Sequence, residues 1–352
     1  MGMGKEYKKH KVIVHRKSYM TLYPFKFKAQ LFHKLWGGHT IEQWYDHVPA
    51  DYENVGEAWV MSDVEKYPTE VINGSHAGDT LQDLLEVYMD ELVGGAVYEV
   101  YGNQFPVLLK FIDAIDDLSI QVHPGDEYAL EHEQSMGKTE MWYVMPSEEQ
   151  AAIYLGWKEP MDEARIHAAI KDGSLARYLR EYKVRAGEVA YIPEGTVHAM
   201  RRNTIVAEIQ ENSDITYRLY DYNRVGNDGK KRPLHLDKAL DVMNYSTEGE
   251  AGVTAPQPVM NCAVNLKKTP FFTVNRLTLS KTAQRDYAPL DSFVAYMCVE
   301  GSAQITALDC EVEENRTAAI KKGEAVLIPA SLNDILITPQ GECDLLEIYM
   351  EE

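Results

Sequence analysis

The chain predicts a mainly β fold: two related antiparallel barrels, the first interrupted by helices. Three observations carry this. Short apolar runs bounded by Gly, Pro and Asn recur along most of the chain, too short for helices and spaced as strands and turns. A turn-glycine, short strand and proline occur twice, as Arg185-Ala-Gly-Glu-Val-Ala-Tyr-Ile-Pro and as Lys322-Gly-Glu-Ala-Val-Leu-Ile-Pro, the outline two copies of one barrel would leave. Helical spacing is confined to three segments, at about 79–100, 160–182 and 233–245.

Taken in order, residues 20–76 read as short strands and turns, punctuated by Trp36-Gly37-Gly38 and Gly56-Glu57-Ala58-Trp59. Asp79 is the candidate N-cap of the first helix, where Leu81, Leu84 and Leu85 fall at helical spacing. Residues 105–112 form a strand with one lysine, Lys110, inside an apolar run, and strands follow around 118–123, 139–145 and 151–155. Pro160 opens the second helical segment, which breaks at Asp172-Gly173. Strands return at 188–192, 196–200, 204–211 and 216–220, before the third helix. The Gly-, Pro-, Thr- and Ser-rich stretch 246–258 marks a boundary, and residues 270–350 are short strands and turns. The expected organisation is a loose extension at 1–19, ahead of a natural start at Met20, a first barrel over 20–250 carrying the helices, and a second barrel over 251–352.

Composition narrows the function. The 352 residues suffice for two domains, and 45% apolar with 26% charged residues is ordinary for a globular protein. No apolar run approaches the ~20 residues that span a bilayer, and the basic first nineteen residues lack the apolar stretch of a secretory signal. Cys262, Cys298, Cys310 and Cys343 form no CxxC pair, which reads as buried free thiols in a reducing cytoplasm. A net charge of -20 argues against nucleic acid as a partner. An anionic substrate would need a few local cations acting against that global field.

The chemistry starts at Ser119-Ile-Gln121-Val-His123-Pro. Side chains alternate along a strand, so Ser119, Gln121 and His123 share a face, and a strand packed for apolar contact would not choose them. Glu140 follows in Gly-Lys-Thr-Glu-Met-Trp, and His198 lies five residues after Pro193. No histidine occurs after His235, so metal chemistry belongs to the first barrel. Gln121, His123, Glu140 and His198 supply two nitrogens and two oxygens, a set that suits zinc and leaves manganese, iron and cobalt open. Each alone reads more readily as a hydrogen-bonded core residue; together they favour one divalent ion.

Three cations accompany this set. Lys110 requires a nearby anion, either a structural carboxylate or a bound substrate. With Lys138 and Ser119 it makes a phosphate cradle. Arg218 lies in Thr-Tyr-Arg-Leu-Tyr-Asp. Glu208, which shares a strand face with Gln210, is either a general base or a group that orients His198 or a lysine. Glu163 and His167 read as a solvated helical pair, Arg201-Arg202 as a turn, and Trp36-Gly37-Gly38 as tight packing.

In this order the motifs are specific. Leu35-Trp-Gly-Gly, Gly56-Glu-Ala-Trp, Leu109-Lys-Phe-Ile-Asp-Ala, Leu118-Ser-Ile-Gln-Val-His-Pro-Gly-Asp-Glu, Gly137-Lys-Thr-Glu-Met-Trp, Ile192-Pro-Glu-Gly-Thr-Val-His-Ala, Glu208-Ile-Gln-Glu-Asn-Ser-Asp and Arg232-Pro-Leu-His together resemble type I mannose-6-phosphate isomerases of the short bacterial form, from about Met20 onward. The resemblance implies two cupin-like jelly-roll barrels with a helical insertion, the second metal-free. It implies one zinc ion per chain on Gln121, His123, Glu140 and His198. Ser119, Lys110 and Lys138 would bind the sugar phosphate, and Arg218, Glu208 and Lys138 would act in catalysis. The implied reaction interconverts mannose 6-phosphate and fructose 6-phosphate through a cis-enediol. A cytoplasmic monomer or weak homo-oligomer is expected, with no nucleic-acid or membrane partner. The Met200-Arg-Arg-Asn turn departs from the glycine-containing turn usual there. Two other readings stay open, an iron-using cupin oxygenase and a sugar-phosphate-binding cupin without turnover.

Overall fold

The strand Thr204–Glu211 is buried along its whole length and stands at the centre of the first unit. In the computed structural model, which describes residues 22–48, 54–147, 150–226 and 229–351, it lies between Val107–Ala114 and Glu140–Val144. The expected extension at 1–19 lies outside the described residues. The seven-stranded sheet built around it runs Gly252–Thr254, Val189–Ile192, Glu140–Val144, Thr204–Glu211, Val107–Ala114, Gln30–Gly38 and Val55–Met61. A five-stranded sheet faces it, in the order Tyr217–Tyr220, Ile120–Val122, His198–Met200, Ala151–Trp157 and Leu179–Val184. Between them Ile112, Trp142, Val144 and Val206 meet Ile153, Leu155, Val184 and Met200.

Alternation explains why polar residues sit in these central strands. Leu109, Phe111, Ala207 and Ile209 point outward into the large core shared with the second unit. Their neighbours Lys110, Glu208 and Gln210 point the other way, into the space between the sheets. A strand apolar on both faces would leave that space filled; Lys110 and Glu208 instead border a cavity, with Gln210 accepting from Lys110 behind them.

The second unit pairs a seven-stranded with a four-stranded sheet, both antiparallel. The echoed phrase is structural. Gly187 and Gly323 both take a left-handed turn, at φ +88° and +89°, before the strands Val189–Ile192 and Ala325–Ile328. Sheet membership does not follow the division at residue 250. Phe25–Lys28 joins the second unit's sheet, pairing with Ala325–Ile328, and Lys26 Nζ lies 2.9 Å from Glu324. Gly252–Thr254 in turn closes the edge of the first.

Four sequence expectations are corrected. The helix-capping residue is Thr80, whose hydroxyl accepts from Asp83 N at 3.1 Å while Asp83 accepts from Thr80 N at 2.8 Å. Asp79 pairs instead with His76 at 2.7 Å. The segment 160–182 is helical only over Glu163–Asp172 and a short turn at Leu175–Tyr178. Leu179–Val184 is an edge strand, because it buries only its ends, Leu179 and Val184, and pairs along its length with Ala151–Trp157, which overrides the helix propensity of Arg180, Glu181 and Lys183. A further helix, Asp126–Glu133, is too polar to show an apolar face in the sequence and buries little beyond Ala129. Cys298, Cys310 and Cys343 are buried free thiols, whereas Cys262 is exposed. Among the described residues no helix is long and apolar enough to cross a membrane.

Phe25 is fully buried and packs its ring 4.5 Å from that of Tyr23 at the strand that ties the two units. Phe25→Ala is expected to lower stability by about 3–5 kcal/mol, measured by urea unfolding; a change under about 1 kcal/mol would show that this tie carries little.

Candidate metal centre

His123, Glu140 and His198 converge, with one ligand atom from each lying within 4.8 Å of the others. Antiparallel register produces this: His198 stands opposite Gln121 in the five-stranded sheet, and Glu140 stands opposite Gln210 in the facing sheet. His123 Nε2 is 3.5 Å and His198 Nε2 3.1 Å from the Glu140 carboxylate. Both imidazoles are oriented from behind. His123 Nδ1 donates to the Ile215 carbonyl at 2.9 Å, and His198 Nδ1 to the Thr196 carbonyl at 2.8 Å. This fixes the tautomer that leaves each Nε2 lone pair facing Glu140. The Gln121 amide reaches the same point, 3.3 Å from His198 Nε2. Exchanging its terminal O and N, which only the hydrogen-bond network distinguishes, turns Oε1 toward the cluster.

Electrostatics match a cation site. Burial and the adjacent Lys138 ammonium hold His123 well below the usual imidazole range, so it is neutral. Burial pushes Glu140 up, but the adjacent Lys138 ammonium outweighs it and keeps the carboxyl well below its usual range. Both Glu140 oxygens are buried without a hydrogen-bond donor in proper geometry. Lys138 meets part of this charge at 3.2 Å, but a dry, ionised carboxylate with two imidazole lone pairs turned toward it is more favourable still with a cation between them. The donor set therefore fits a divalent metal.

Above the cluster a cavity of about 320 Å³ takes in Ser119, Gln121, Lys110, Lys138, Glu208 and Arg218. Every residue given a ligand, binding or catalytic role from the sequence is thus at the cluster or in the cavity. Lys138 Nζ lies 3.2 Å from Glu140 and 3.3 Å from His123 Nε2. Burial pulls it down, but Glu140 and Glu208 outweigh this and hold it above the usual lysine range. Lys110 pairs with Glu208 at 3.0 Å and donates to Gln210 at 2.5 Å, and burial draws it below its usual range. Glu208 also accepts from Trp142 Nε1 at 2.8 Å. Arg218 forms no ion pair among the described residues; its guanidinium reaches Ser119 Oγ at 3.3 Å and the Pro233 carbonyl at 3.0 Å.

The cavity also holds residues to which the sequence reading gave no site role: Lys34, Trp36, Glu57, Trp59, Asp214 and Arg232. Glu57 and Trp59 carried a signal, since their two-residue spacing puts both on one strand face. Trp36 belongs to the wall, while Gly37 packs against Gly56 so closely that an added Cβ would stand 2.6 Å from its nitrogen. Glu163 and His167 are exposed, and Arg201 is tied to Asp117 and Glu181.

Two facing sheets around a buried His/Glu/His cluster under a cation-lined cavity define a metal-binding cupin enzyme. Residues 24–153 match the family described as phosphomannose isomerase type I, catalytic domain, and residues 263–350 match the mannose-6-phosphate isomerase cupin domain. The mannose-6-phosphate isomerase ManA of Bacillus subtilis is 32% identical over 327 residues, covering 92% of this chain and 98% of that protein. A mannose-6-phosphate isomerase of Streptococcus mutans is 32% identical over 335 residues, covering 91% and 99%. The crystal structure of the mannose 6-phosphate isomerase from Bacillus subtilis superposes with a TM-score of 0.77 at 30% identity, covering 93% of this chain and 99% of that one. The chain belongs to the type I phosphomannose isomerase family.

His198→Ala removes an imidazole that is wholly buried. It is expected to reduce bound metal at least tenfold, measured by elemental analysis of the folded variant; retention of a full equivalent would separate His198 from the ion. A second prediction concerns Glu211, which accepts from Thr139 N at 2.6 Å between Lys138 and Glu140. Burial pushes its carboxyl up to about 8. Its proton is bound more tightly folded than unfolded, so stability falls as pH rises from about 4 toward that value. Glu211→Gln should therefore gain Tm over the parent increasingly between about pH 5 and about pH 8; a gain independent of pH would contradict this.

Proposed function

We propose that this protein interconverts mannose 6-phosphate and fructose 6-phosphate, with one zinc ion held by Gln121, His123, Glu140 and His198. The observation that carries it is the pairing of that cluster with four cationic or acid-base groups, Lys110, Lys138, Glu208 and Arg218, in one cavity. Zinc, when bound, supplies Lewis-acid polarisation of the substrate's two reacting oxygens.

The chain's own residues divide the remaining work. Ser119, Lys110 and Lys138 bind the phosphorylated sugar and fix the reacting carbons, so that binding energy far from the reaction serves orientation. Glu208 is the base: it takes the proton from C2 and returns it to C1 through a cis-enediol. The Trp142 indole N–H holds one of its oxygens and leaves the carboxylate aimed along the cavity face it shares with Lys110. Lys138, charged beside Glu140, donates a proton in ring opening and in the matching exchange between O2 and O1. Arg218, whose guanidinium is committed to no carboxylate, adds positive charge where negative charge develops. An iron-using oxygenase has no need for the buried Lys110–Glu208 pair, and a simple binder has no need for a base.

Turnover of mannose 6-phosphate, read by an NADPH-coupled assay for fructose 6-phosphate, should be lost on chelation and restored by zinc. Arg218→Ala is expected to lower kcat by about 10²–10³ with metal content unchanged. A loss confined to KM would make Arg218 a substrate anchor, and loss of metal would place it in the ligand shell.

A further inference from the structure

Glu57 is a carboxylate in the cavity wall that neither the ligand set nor the proton transfers employ. Its strand, Val55–Met61, lies beside Val107–Ala114 with Trp59 opposite Lys110 and Glu57 opposite Ile112. Alternation puts all four side chains on the cavity face, and all four line it. Lys110 Nζ sits 4.8 Å above the Trp59 ring. The same indole donates its N–H to Glu57 at 2.8 Å, which makes the ring a better partner for the ammonium. On the other side of Lys110 in the same sheet the device recurs, for Trp142 Nε1 donates to Glu208 at 2.8 Å and Glu208 pairs with Lys110 at 3.0 Å. Lys110 thus has Glu208 in direct contact on one side and, on the other, the Trp59 ring with Glu57 behind it at longer range, each carboxylate clamped by a tryptophan.

We propose that Glu57 is a positioning residue: it keeps the Lys110 ammonium charged and in place when Glu208, its direct partner, takes up the substrate proton. This rests on the role of Glu208 given above. A protonated Glu208 leaves a buried ammonium without its ion pair, and an unpaired buried charge is expensive. The charged groups facing Lys110 are Glu208 from Thr204–Glu211, Glu57 from Val55–Met61 and Lys138 ahead of Glu140–Val144. With Glu208 neutral, Glu57 supplies the negative charge that opposes Lys138 and desolvation. It can do so because it cannot itself accept a proton near neutrality. Burial pushes its carboxyl up, but Lys34 at 3.0 Å, Lys110 and the Trp59 N–H outweigh this and bring it down to about 2. Lys34, 30% exposed, connects the pair to solvent and offsets part of the Glu57 charge.

The test reads kcat against pH, with metal content and Tm measured alongside. Glu57→Gln keeps an acceptor for the Trp59 N–H and removes the charge. Its alkaline limb should move down by about one pH unit, costing about tenfold in kcat near pH 9 and less than about twofold near pH 6.5, with metal retained. Glu57→Asp, which keeps the charge, should recover most of that shift. Lys34→Gln, at a partly exposed position, frees the Glu57 charge and should move the limb up. A profile for Glu57→Gln that superimposes on the parent or is scaled equally at every pH overturns the proposal, as does a Lys34→Gln limb that fails to rise. Lys110→Met separates the two levels: parental activity in that variant removes the underlying reading of the cavity, whereas an inactive Lys110→Met with an unmoved Glu57→Gln profile removes the role of Glu57 alone.

Discussion

The carboxylate of Glu140 governs the first unit. It is wholly buried, ionised and without a hydrogen-bond donor in proper geometry, and two imidazole lone pairs are turned toward it by carbonyl groups behind the rings. A protein interior opposes such a group unless cations complete it, and Lys138 at 3.2 Å supplies only one side of that complement. The second unit provides the contrast. Glu347 is equally buried, on the central strand Cys343–Tyr349, but Arg285 grips it at 2.8 and 3.0 Å and Asn275 donates at 2.8 Å. The second unit surrounds its carboxylate with a guanidinium and an amide; the first gives Glu140 only the Lys138 ammonium at 3.2 Å and turns two imidazole lone pairs toward the same point.

The cavity inherits its electrostatics from that choice. Charges alternate in sign along it: Glu140, Lys138, Glu208, Lys110, Glu57 and Lys34, with Arg218 to the side. Each buried cation of the series has a carboxylate near it, which is what allows lysines to sit at the junction of two packed sheets. The same alternation couples the groups, since a proton taken up by one carboxylate acts on the neighbouring ammonium from about 3 Å away. Strand alternation in Thr204–Glu211 and Val107–Ala114 produces this without any special loop.

Much of the site was legible because ligands and acid-base groups obey the two-residue period. Gln121 and His123 declared a shared face, as did Glu208 and Gln210, and the absence of later histidines assigned the metal to the first barrel. What local pattern could not carry was pairing between distant strands. Phe25–Lys28 reads as an ordinary first strand, and only the register with Ala325–Ile328 reveals that it belongs to the second unit's sheet. Leu179–Val184 reads as helix from its Arg, Glu and Lys, and becomes a strand because Ala151–Trp157 offers it an edge. Glu57 and Trp59 read as punctuation and as part of a family motif, with a spacing that puts them on one face, but their place beside Lys110 depends on a strand pairing about fifty residues away in the chain.

The most direct measurement is anomalous diffraction at the zinc edge from crystals grown with zinc. A single strong peak is predicted about 2.0–2.2 Å from His123 Nε2, His198 Nε2 and a Glu140 oxygen, with the Gln121 amide oxygen completing the set. A peak elsewhere, or no density between these residues in crystals whose protein turns over mannose 6-phosphate after dissolution, would contradict the account.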